Sequence, residues 1–176
     1  MQSGANKLKF PVSQINLKIK EDNVVPEIFV RAADQSDVPT LIEYNLSLAY
    51  ESESILLDKN ILRLGIEKAL ELNDCRYIVA ELDNKIVGQT MITSEWSDWR
   101  NGVIWWMQSV YVNPDYRKRG VFQNILKYIE NLAEEIPEIK ALRLYVIDDN
   151  LIARRAYQNL GMKNSGYLVY EKYHKT

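Results

Sequence analysis

The chain has 176 residues, of which 47% are hydrophobic, and a formal net charge of −2. These values are typical of one globular domain. The net charge argues against general nucleic-acid binding, which needs a broad basic face. No apolar run in the sequence approaches the ~20 residues needed to span a bilayer. The single cysteine, Cys75, suits a reducing cytosol, and the single histidine, His174, leaves no basis for a His-based triad or a typical zinc site. We therefore expect a cytoplasmic protein that uses no metal.

Residues 1–26 are interpreted as an N-terminal extension. They carry four lysines and no acidic residue before Glu21, with Pro11 and Pro26 as breaks. A short apolar stretch at 15–19 could add an edge strand, but the segment lacks the apolar core of a secretory signal. Residues 27–176 are then expected to form a single domain.

The first half of this domain is predicted to contain a strand, two helices and a β-hairpin. Asp34 and Asp37 open the first helix, and Pro39 lies in its first turn. Asp83-Asn84 separates two apolar runs as the hairpin turn. The predicted elements are a strand at 27–33, a helix from Asp34, a helix at 60–72, and hairpin strands at 76–82 and 85–95.

The second half is predicted to alternate strands with helices. Its first strand is nearly continuously apolar, which is typical of a strand covered on both faces. The next helix has apolar residues at spacings of three and four, with Pro137 just beyond it. Asn150 is one of several candidate N-caps for the last helix, and Gly161 is its expected stop. The predicted elements are strands at 105–112, 142–146 and 166–172, and helices after Gly120 and Asn150.

Three consecutive cations, Arg117, Lys118 and Arg119, precede Gly120 between a strand and a helix. Each cation near a helix N-terminus costs ~0.3–1 kcal/mol unless an anion lies there. The free N–H groups of the first helical turn can bind phosphate oxygens, and glycine lets the backbone approach closely. We interpret the segment as a phosphate-binding loop; a solvated charge cluster is the alternative.

The loop lacks the residues of a Walker P-loop and of the dinucleotide fingerprint. Read from Arg117 to Phe122, it resembles the Gln/Arg-x-x-Gly-x-Gly/Ala motif of the GCN5-related N-acetyltransferase (GNAT) superfamily. Phe122 departs from the small last residue of that motif. The stretch from Tyr157 to Met162 also resembles the family's Tyr-x-x-x-Gly-[Phe/Met] ending. The element order agrees over roughly residues 27–172, strongly after residue 103 and only in layout before it.

The resemblance implies the GNAT fold, an α/β (α+β) architecture. Its central sheet is mixed and mostly antiparallel, contains a splayed parallel strand pair, and is flanked by about four helices. It also implies that acetyl-CoA is the co-substrate, with its pantetheine arm in the gap between the splayed strands. The residues implied to bind it are Val110, Tyr111, Val112, Arg117, Lys118, Arg119, Gly120, Val121, Phe122 and Asn150.

Tyr157 occupies the position of the family's tyrosine acid, which protonates the departing thiolate of coenzyme A. The alternative is a core tyrosine with a satisfied hydroxyl group. Asn150 is equally explained as a pantetheine ligand or as a helix N-cap, and Arg154 and Arg155 as solvated helix residues. Gln108 stands where many family members carry a glutamate base, and glutamine cannot accept a proton. Glu81 and Glu95 could act through water, but surface carboxylates are the simpler interpretation, so no base is assigned.

The acceptor is expected to be a primary amine on a small molecule. Residues before position 103, rather than the motif, decide which amine is accepted. From Asp34 to Asp58 the chain carries six acidic residues and no Lys or Arg, which would attract a cationic small molecule; an ordinary acidic helix surface is the alternative. Four tryptophans near the central strands could line the acceptor site or simply pack. They are Trp96, Trp99, Trp105 and Trp106.

The sequence therefore predicts an acetyl-CoA-dependent N-acetyltransferase in which an amine attacks the thioester directly within a ternary complex. Three alternatives stay open. The first is a non-catalytic acyl-CoA-binding module on the same fold, which Gln108 permits. The second is a protein N-terminal or lysine acetyltransferase. The third is a nucleotide-phosphate binder. A homodimer is possible, because relatives often form one.

Overall fold

The computed structural model describes residues 27–174, so the predicted extension at 1–26 lies outside the described residues. The described chain divides into two compact units, one ending at Tyr145 and the other beginning at Val146. Within it, none of the helices is long and apolar enough to cross a membrane. The elements are β1 (Phe29–Ala32), α1 (Val38–Glu53), α2 (Lys59–Glu71), β2 (Cys75–Leu82), β3 (Lys85–Ser97), β4 (Gly102–Val112), α3 (Val121–Glu134), β5 (Ile139–Leu144) and α4 (Leu151–Asn159).

The first unit is built on one sheet in the strand order β1-β2-β3-β4-β5. The first four strands pair antiparallel, whereas β4 and β5 pair parallel. This confirms the predicted mixed, mostly antiparallel sheet with a parallel pair. The hairpin turn is also confirmed, since Asp83 and Asn84 both have positive φ angles, 51° and 59°, as a two-residue turn that matches strand twist requires.

Helices cover the two faces of this sheet. Gly88 faces α3, because a Cβ atom at this position would lie 2.7 Å from Val121 Cγ1. Side chains alternate along a strand, so Gln89 and its cross-strand partner Val79 lie on the opposite face. That second face belongs to α1 and α2. The core cluster there consists of Val38, Leu41, Ile42, Ile66, Ala69, Tyr77 and Val79.

An ion-pair network fixes the start of α1 against the sheet edge. The Arg31 guanidinium donates to both carboxylate oxygens of Asp37, at 2.7 and 2.9 Å, and to Glu81 at 2.5 Å. The Asp37 side chain is only 6% exposed. Because a buried carboxylate needs a partner, Arg31 determines where the chain between β1 and α1 can lie.

The second unit contains α4 and the residues after it. Asn150 is the N-cap of α4, and its side-chain oxygen accepts a hydrogen bond from the Ala153 N–H at 3.0 Å, as one of the two interpretations predicted. The predicted strand at 166–172 was wrong, since residues 162–174 contain no helix or strand. A run of apolar residues alone does not make a strand, which needs hydrogen bonds to a neighbour.

The close contact of Gly88 with α3 generates a prediction about stability. Gly88→Ala should lower the free energy of unfolding by ~1–3 kcal/mol, because the added methyl group overpacks the contact with Val121. Chemical denaturation measures this change. The matched control is Gly65→Ala in α2, where a Cβ atom meets nothing within 4 Å. It should raise stability by ~0.5–1 kcal/mol. Equal tolerance of both substitutions would contradict the packing argument.

Candidate active site

The parallel strands β4 and β5 part before β4 ends. Their last registered pair is Met107 with Leu144, whereas β4 continues to Val112. Among the described residues, no strand pairs with the β5-side edge of residues 108–112. That edge could therefore bind a ligand in extended conformation, the arrangement in which a strand binds by main-chain hydrogen bonds. The predicted binding residues Val110, Tyr111 and Val112 lie on this stretch of β4. The Val112 carbonyl already accepts from Arg117, and strand alternation turns the backbone groups of Tyr111, which pairs with Gln89, towards β3.

A bulge in β4 lies at the same point. On the β3 side, Gln89 pairs with Tyr111 and Met91 pairs with Gln108, so two β4 residues, Ser109 and Val110, lie opposite Thr90. Ser109 has a φ of 50°, in the left-handed region that non-glycine residues seldom adopt. Bulges bend and twist a strand locally, which fits the separation of β4 from β5.

The loop from Asn113 to Gly120 brings the chain from β4 into α3. Asn113 opens a 3₁₀ turn, its side-chain oxygen accepting from the Asp115 N–H at 3.0 Å. Lys118 and Gly120 have positive φ angles of 61° and 80°, and Gly120 is the N-cap of α3, with no side-chain cap. The first N–H groups of α3 thus have no intrahelical partner and can bind an anion.

The three loop cations have different surroundings. Arg117 donates to Glu51 of α1 at 2.6 Å and to the Val112 carbonyl at 2.9 Å, so it already has an anionic partner. Arg119 lies over the Tyr116 ring, 5.3 Å from its centroid. Lys118 is exposed. The positive charge open to an anion at this loop is therefore mainly that of Lys118 and Arg119.

Glu51 is a component that sequence reasoning missed. It accepts from the Tyr111 hydroxyl at 2.7 Å as well as from Arg117. Burial raises the pKa of Glu51, but the hydrogen bonds from Arg117 and Tyr111 outweigh that effect and hold the pKa below its usual value. The carboxylate is therefore charged at neutral pH. No sequence signal pairs residue 51 with residue 117, because only the fold brings α1 to the loop.

The first side chains of α3 are covered by protein, which leaves the backbone N–H groups of its first turn to face the loop. Val121 is 2% exposed and packs against the sheet beside Gly88, and Phe122 is half-buried. Side chains directed into protein leave the N–H groups of the first turn as the polar surface of this helix end.

Tyr157 and Asn150 belong to the second unit. Tyr157 is half-buried on α4, and burial raises the pKa of its hydroxyl group above the usual value of a tyrosine. The hydroxyl is thus protonated at neutral pH, as an acid must be before it donates. Arg154 donates to Asp148 at 2.7 Å, which agrees with its interpretation as a helix surface residue.

Each candidate for the base has a partner. The Gln108 amide donates to the Thr93 hydroxyl at 2.6 Å. Glu95 accepts from the Trp106 indole N–H at 2.5 Å and lies 3.4 Å from Arg143. Glu81 is bound by Arg31. Glu95 lies on β3 opposite Ile104, towards the start of β4, and is only partly covered.

The acidic residues from Asp34 to Asp58 mostly have structural roles. Asp34 caps the turn before α1, Asp37 binds Arg31, Glu51 binds Arg117, and Asp58 caps α2. Glu43 and Glu53 are exposed and remain to attract a cation. Glu43 lines a cavity of about 450 Å³ between α1 and the β2–β3 turn.

The four tryptophans divide into two groups. Trp105 is 1% exposed and belongs to the core, whereas Trp96 and Trp99 are 62% and 86% exposed around the β3–β4 turn. Trp106 is stacked on Tyr145 with ring centroids 4.4 Å apart. The exposed and stacked rings, rather than Trp105, are available to contact a ligand.

Solved structures with this architecture include several acetyltransferases. A possible acetyltransferase from Clostridium difficile 630 is 37% identical, with a TM-score of 0.77 over 85% of this chain and 99% of that one. A predicted acetyltransferase from Clostridium acetobutylicum, solved with acetyl-CoA, is 20% identical, with a TM-score of 0.68 over 83% of this chain and 96% of that one. A ribosomal-protein-alanine N-acetyltransferase from Brucella melitensis biovar Abortus 2308 is 14% identical, with a TM-score of 0.69 over 84% of this chain and all of that one (100%).

No curated protein sequence matches the chain. The model of the acetyltransferase (GNAT) family does, over residues 41–162. This range includes α1, the bulged strand, the glycine loop and α4, and so extends over both units. The motif between Arg117 and Phe122, the separation of β4 from β5 and the family match agree, and the chain belongs to the acetyltransferase (GNAT) family.

Proposed function

We propose that this protein is an acetyl-CoA-dependent N-acetyltransferase that acetylates a primary amine on a small molecule by direct attack within a ternary complex. The observation that carries the proposal is the free β4 edge beyond Met107, directly followed by the Gly120 loop and the N-terminus of α3. An extended arm ending in a pyrophosphate would match these two features in this order.

The donor would bind in two parts. The pantetheine arm would lie along the β4 edge at Val110, Tyr111 and Val112. The pyrophosphate would lie at the loop, held by N–H groups from Lys118 to Phe122 and by the charges of Lys118 and Arg119. Arg117 is proposed to shape the loop through Glu51 rather than to bind phosphate by itself, because its guanidinium already has an anionic partner. Asn150 is also proposed to bind the pantetheine arm, and the family resemblance is the basis for this assignment.

The chemistry needs two proton transfers. The amine nitrogen forms a bond to the thioester carbonyl carbon, the carbon–sulfur bond breaks, and the coenzyme thiolate leaves. We assign Tyr157 as the acid that protonates this thiolate, a role supported by its motif position and its protonated state. The ammonium form of an amine must first lose a proton, since its unperturbed pKa is about 10. Gln108 cannot accept it, so we propose that water accepts the proton, with Glu81 or Glu95 as the carboxylate that acts through it.

The acceptor class has one specific competitor, a protein N-terminus or lysine. The Brucella relative carries such an activity in its name, but at 14% identity it supports the shared fold alone. A non-catalytic acyl-CoA-binding module is the other competitor. The prediction of a cytoplasmic location rests on the single cysteine, and the predicted single domain and homodimer stay predictions.

The first test is the release of free thiol from acetyl-CoA with a pool of primary amines and, separately, with peptides bearing a free N-terminus or lysine. We expect amine-dependent release above a no-amine blank from the small-molecule pool. Release with peptides alone would favour the protein acetyltransferase. Saturable acetyl-CoA binding without release from any pool would favour the binding module.

The role of Tyr157 is tested by Tyr157→Phe. This variant should lower kcat by ~10²-fold or more, within the range for loss of a general acid, while the Kd for acetyl-CoA stays unchanged. The wild-type rate should rise with pH as the amine loses its proton. Because burial raises the pKa of Tyr157, the rate should not decrease again until the pH exceeds about 10, the ordinary tyrosine value. An unchanged kcat, or a fall near pH 8, would remove Tyr157 from the mechanism.

The charge of the acceptor is tested with matched primary amines that carry a second cationic or a carboxylate group. Cationic amines should have the higher kcat/KM, and the difference should shrink as salt rises because exposed carboxylates attract through solvent. Glu53→Gln, which removes one exposed carboxylate at the end of α1, should reduce the preference. Asp58→Asn serves as control, since Asp58 caps α2. Equal rates at low salt would contradict the prediction.

A further inference from the structure

Two buried side chains of β3 hydrogen-bond to the carbonyl groups of the β4 bulge. The Thr90 hydroxyl donates to the Gln108 carbonyl at 2.9 Å, and the Gln89 amide donates to the Ser109 carbonyl at 3.4 Å. Both side chains are 0% exposed. As neighbours on one strand they point to opposite faces of the sheet, so the two carbonyls are bound from both faces.

Gln89 is an unfavourable residue for its position. Among the described residues, its Oε1 is the one buried side-chain polar atom without a hydrogen-bond partner. Its cross-strand neighbour Val79 is also fully buried, so leucine or methionine would suit the surroundings without an unpaired acceptor. A residue that costs stability in a core indicates a role other than stability.

The bulge itself needs support from its surroundings. Ser109 has a φ of 50°, a conformation that persists only where neighbouring groups enforce it. Two donors aimed at consecutive carbonyls limit how the peptide units on either side of Ser109 can rotate. The Ser109 carbonyl and the Val110 N–H belong to the same planar peptide unit, so a hydrogen bond that fixes the carbonyl also fixes the direction of the N–H.

We propose that Gln89 and Thr90 are positioning residues that fix the β4 bulge so that the Val110 N–H hydrogen-bonds to the thioester carbonyl of the donor. The inference rests on the proposed function. Neither side chain touches the substrate, and each acts through the backbone it holds. A preoriented donor at this carbonyl stabilises the negative charge that develops on its oxygen during amine attack.

The test compares variants that keep shape but lose the hydrogen bond. Thr90→Val and Gln89→Leu should each lower kcat by ~10-fold or more, since small displacements of reacting groups are costly, with KM for the amine little changed. Thr90→Ser, which keeps the hydroxyl group, should restore most of kcat. Gln89→Leu should leave the Tm unchanged or raise it, because it removes the unpaired acceptor. A purely structural role would predict a lower Tm instead.

Ile92→Val is the matched control, because Ile92 is 1% exposed on the same strand and its side chain has no hydrogen bond to make. It should lower the Tm slightly and leave kcat unchanged. If Thr90→Val and Gln89→Leu retain wild-type kcat, or if Thr90→Ser fails to recover it, the proposal is overturned.

A spectroscopic measurement separates this inference from the proposed function. Infrared spectra of bound acetyl-CoA, isotope-labelled at the thioester carbonyl carbon, require no acceptor. The carbonyl stretch should shift to lower frequency on wild-type protein, and the shift should shrink in Thr90→Val and Gln89→Leu but not in Ile92→Val. If the carbonyl shift follows this pattern but no amine is acetylated, the inference is supported and the proposed function fails. No wild-type shift, or an equal shift in all variants, overturns the inference.

Discussion

The change in hydrogen bonding along β4 is the constraint on which the site depends. Up to Met107 this strand is paired on both edges, and beyond it only the β3 edge is paired. A backbone edge without a partner is costly in a protein interior, and the proposed donor would pair with this edge, which has no strand partner among the described residues. The bulge at Ser109 and Val110, held by Thr90 and Gln89, bends the strand at this same point.

Close packing carries this geometry to the helix that follows. Gly88 pairs with Val112 at the end of β4 and leaves room on its α3 face for Val121, the first residue of the helix. Because Gly88 carries no side chain, Val121 at the start of α3 packs directly on the sheet beside the end of β4.

Several charged side chains of the first unit are already paired with one another. Arg31 pairs with both Asp37 and Glu81, Arg117 pairs with Glu51, and Arg143 lies beside Glu95. The ion pair between Arg117 and Glu51 joins the loop to α1, so the helix that borders the proposed acceptor side is connected to the proposed pyrophosphate site. Fewer loop cations and fewer α1 carboxylates are therefore open to a ligand than the number of charged residues in the sequence suggests.

The sequence by itself determined the family, most of the element order and the strand–loop–helix arrangement around Gly120, because these depend on local features: the run from Arg117 to Phe122, the turn at Asp83-Asn84, and the apolar spacing of α3. It failed at residues 166–172, where the predicted last strand is neither strand nor helix in the structure. Only the tertiary structure decided which charges are free, that Glu51 meets Arg117 and Tyr111, and that Gln89 and Thr90 hold the bulge. These contacts join residues 18 to 66 positions apart, and strand register and helix packing, which no local pattern encodes, bring them together.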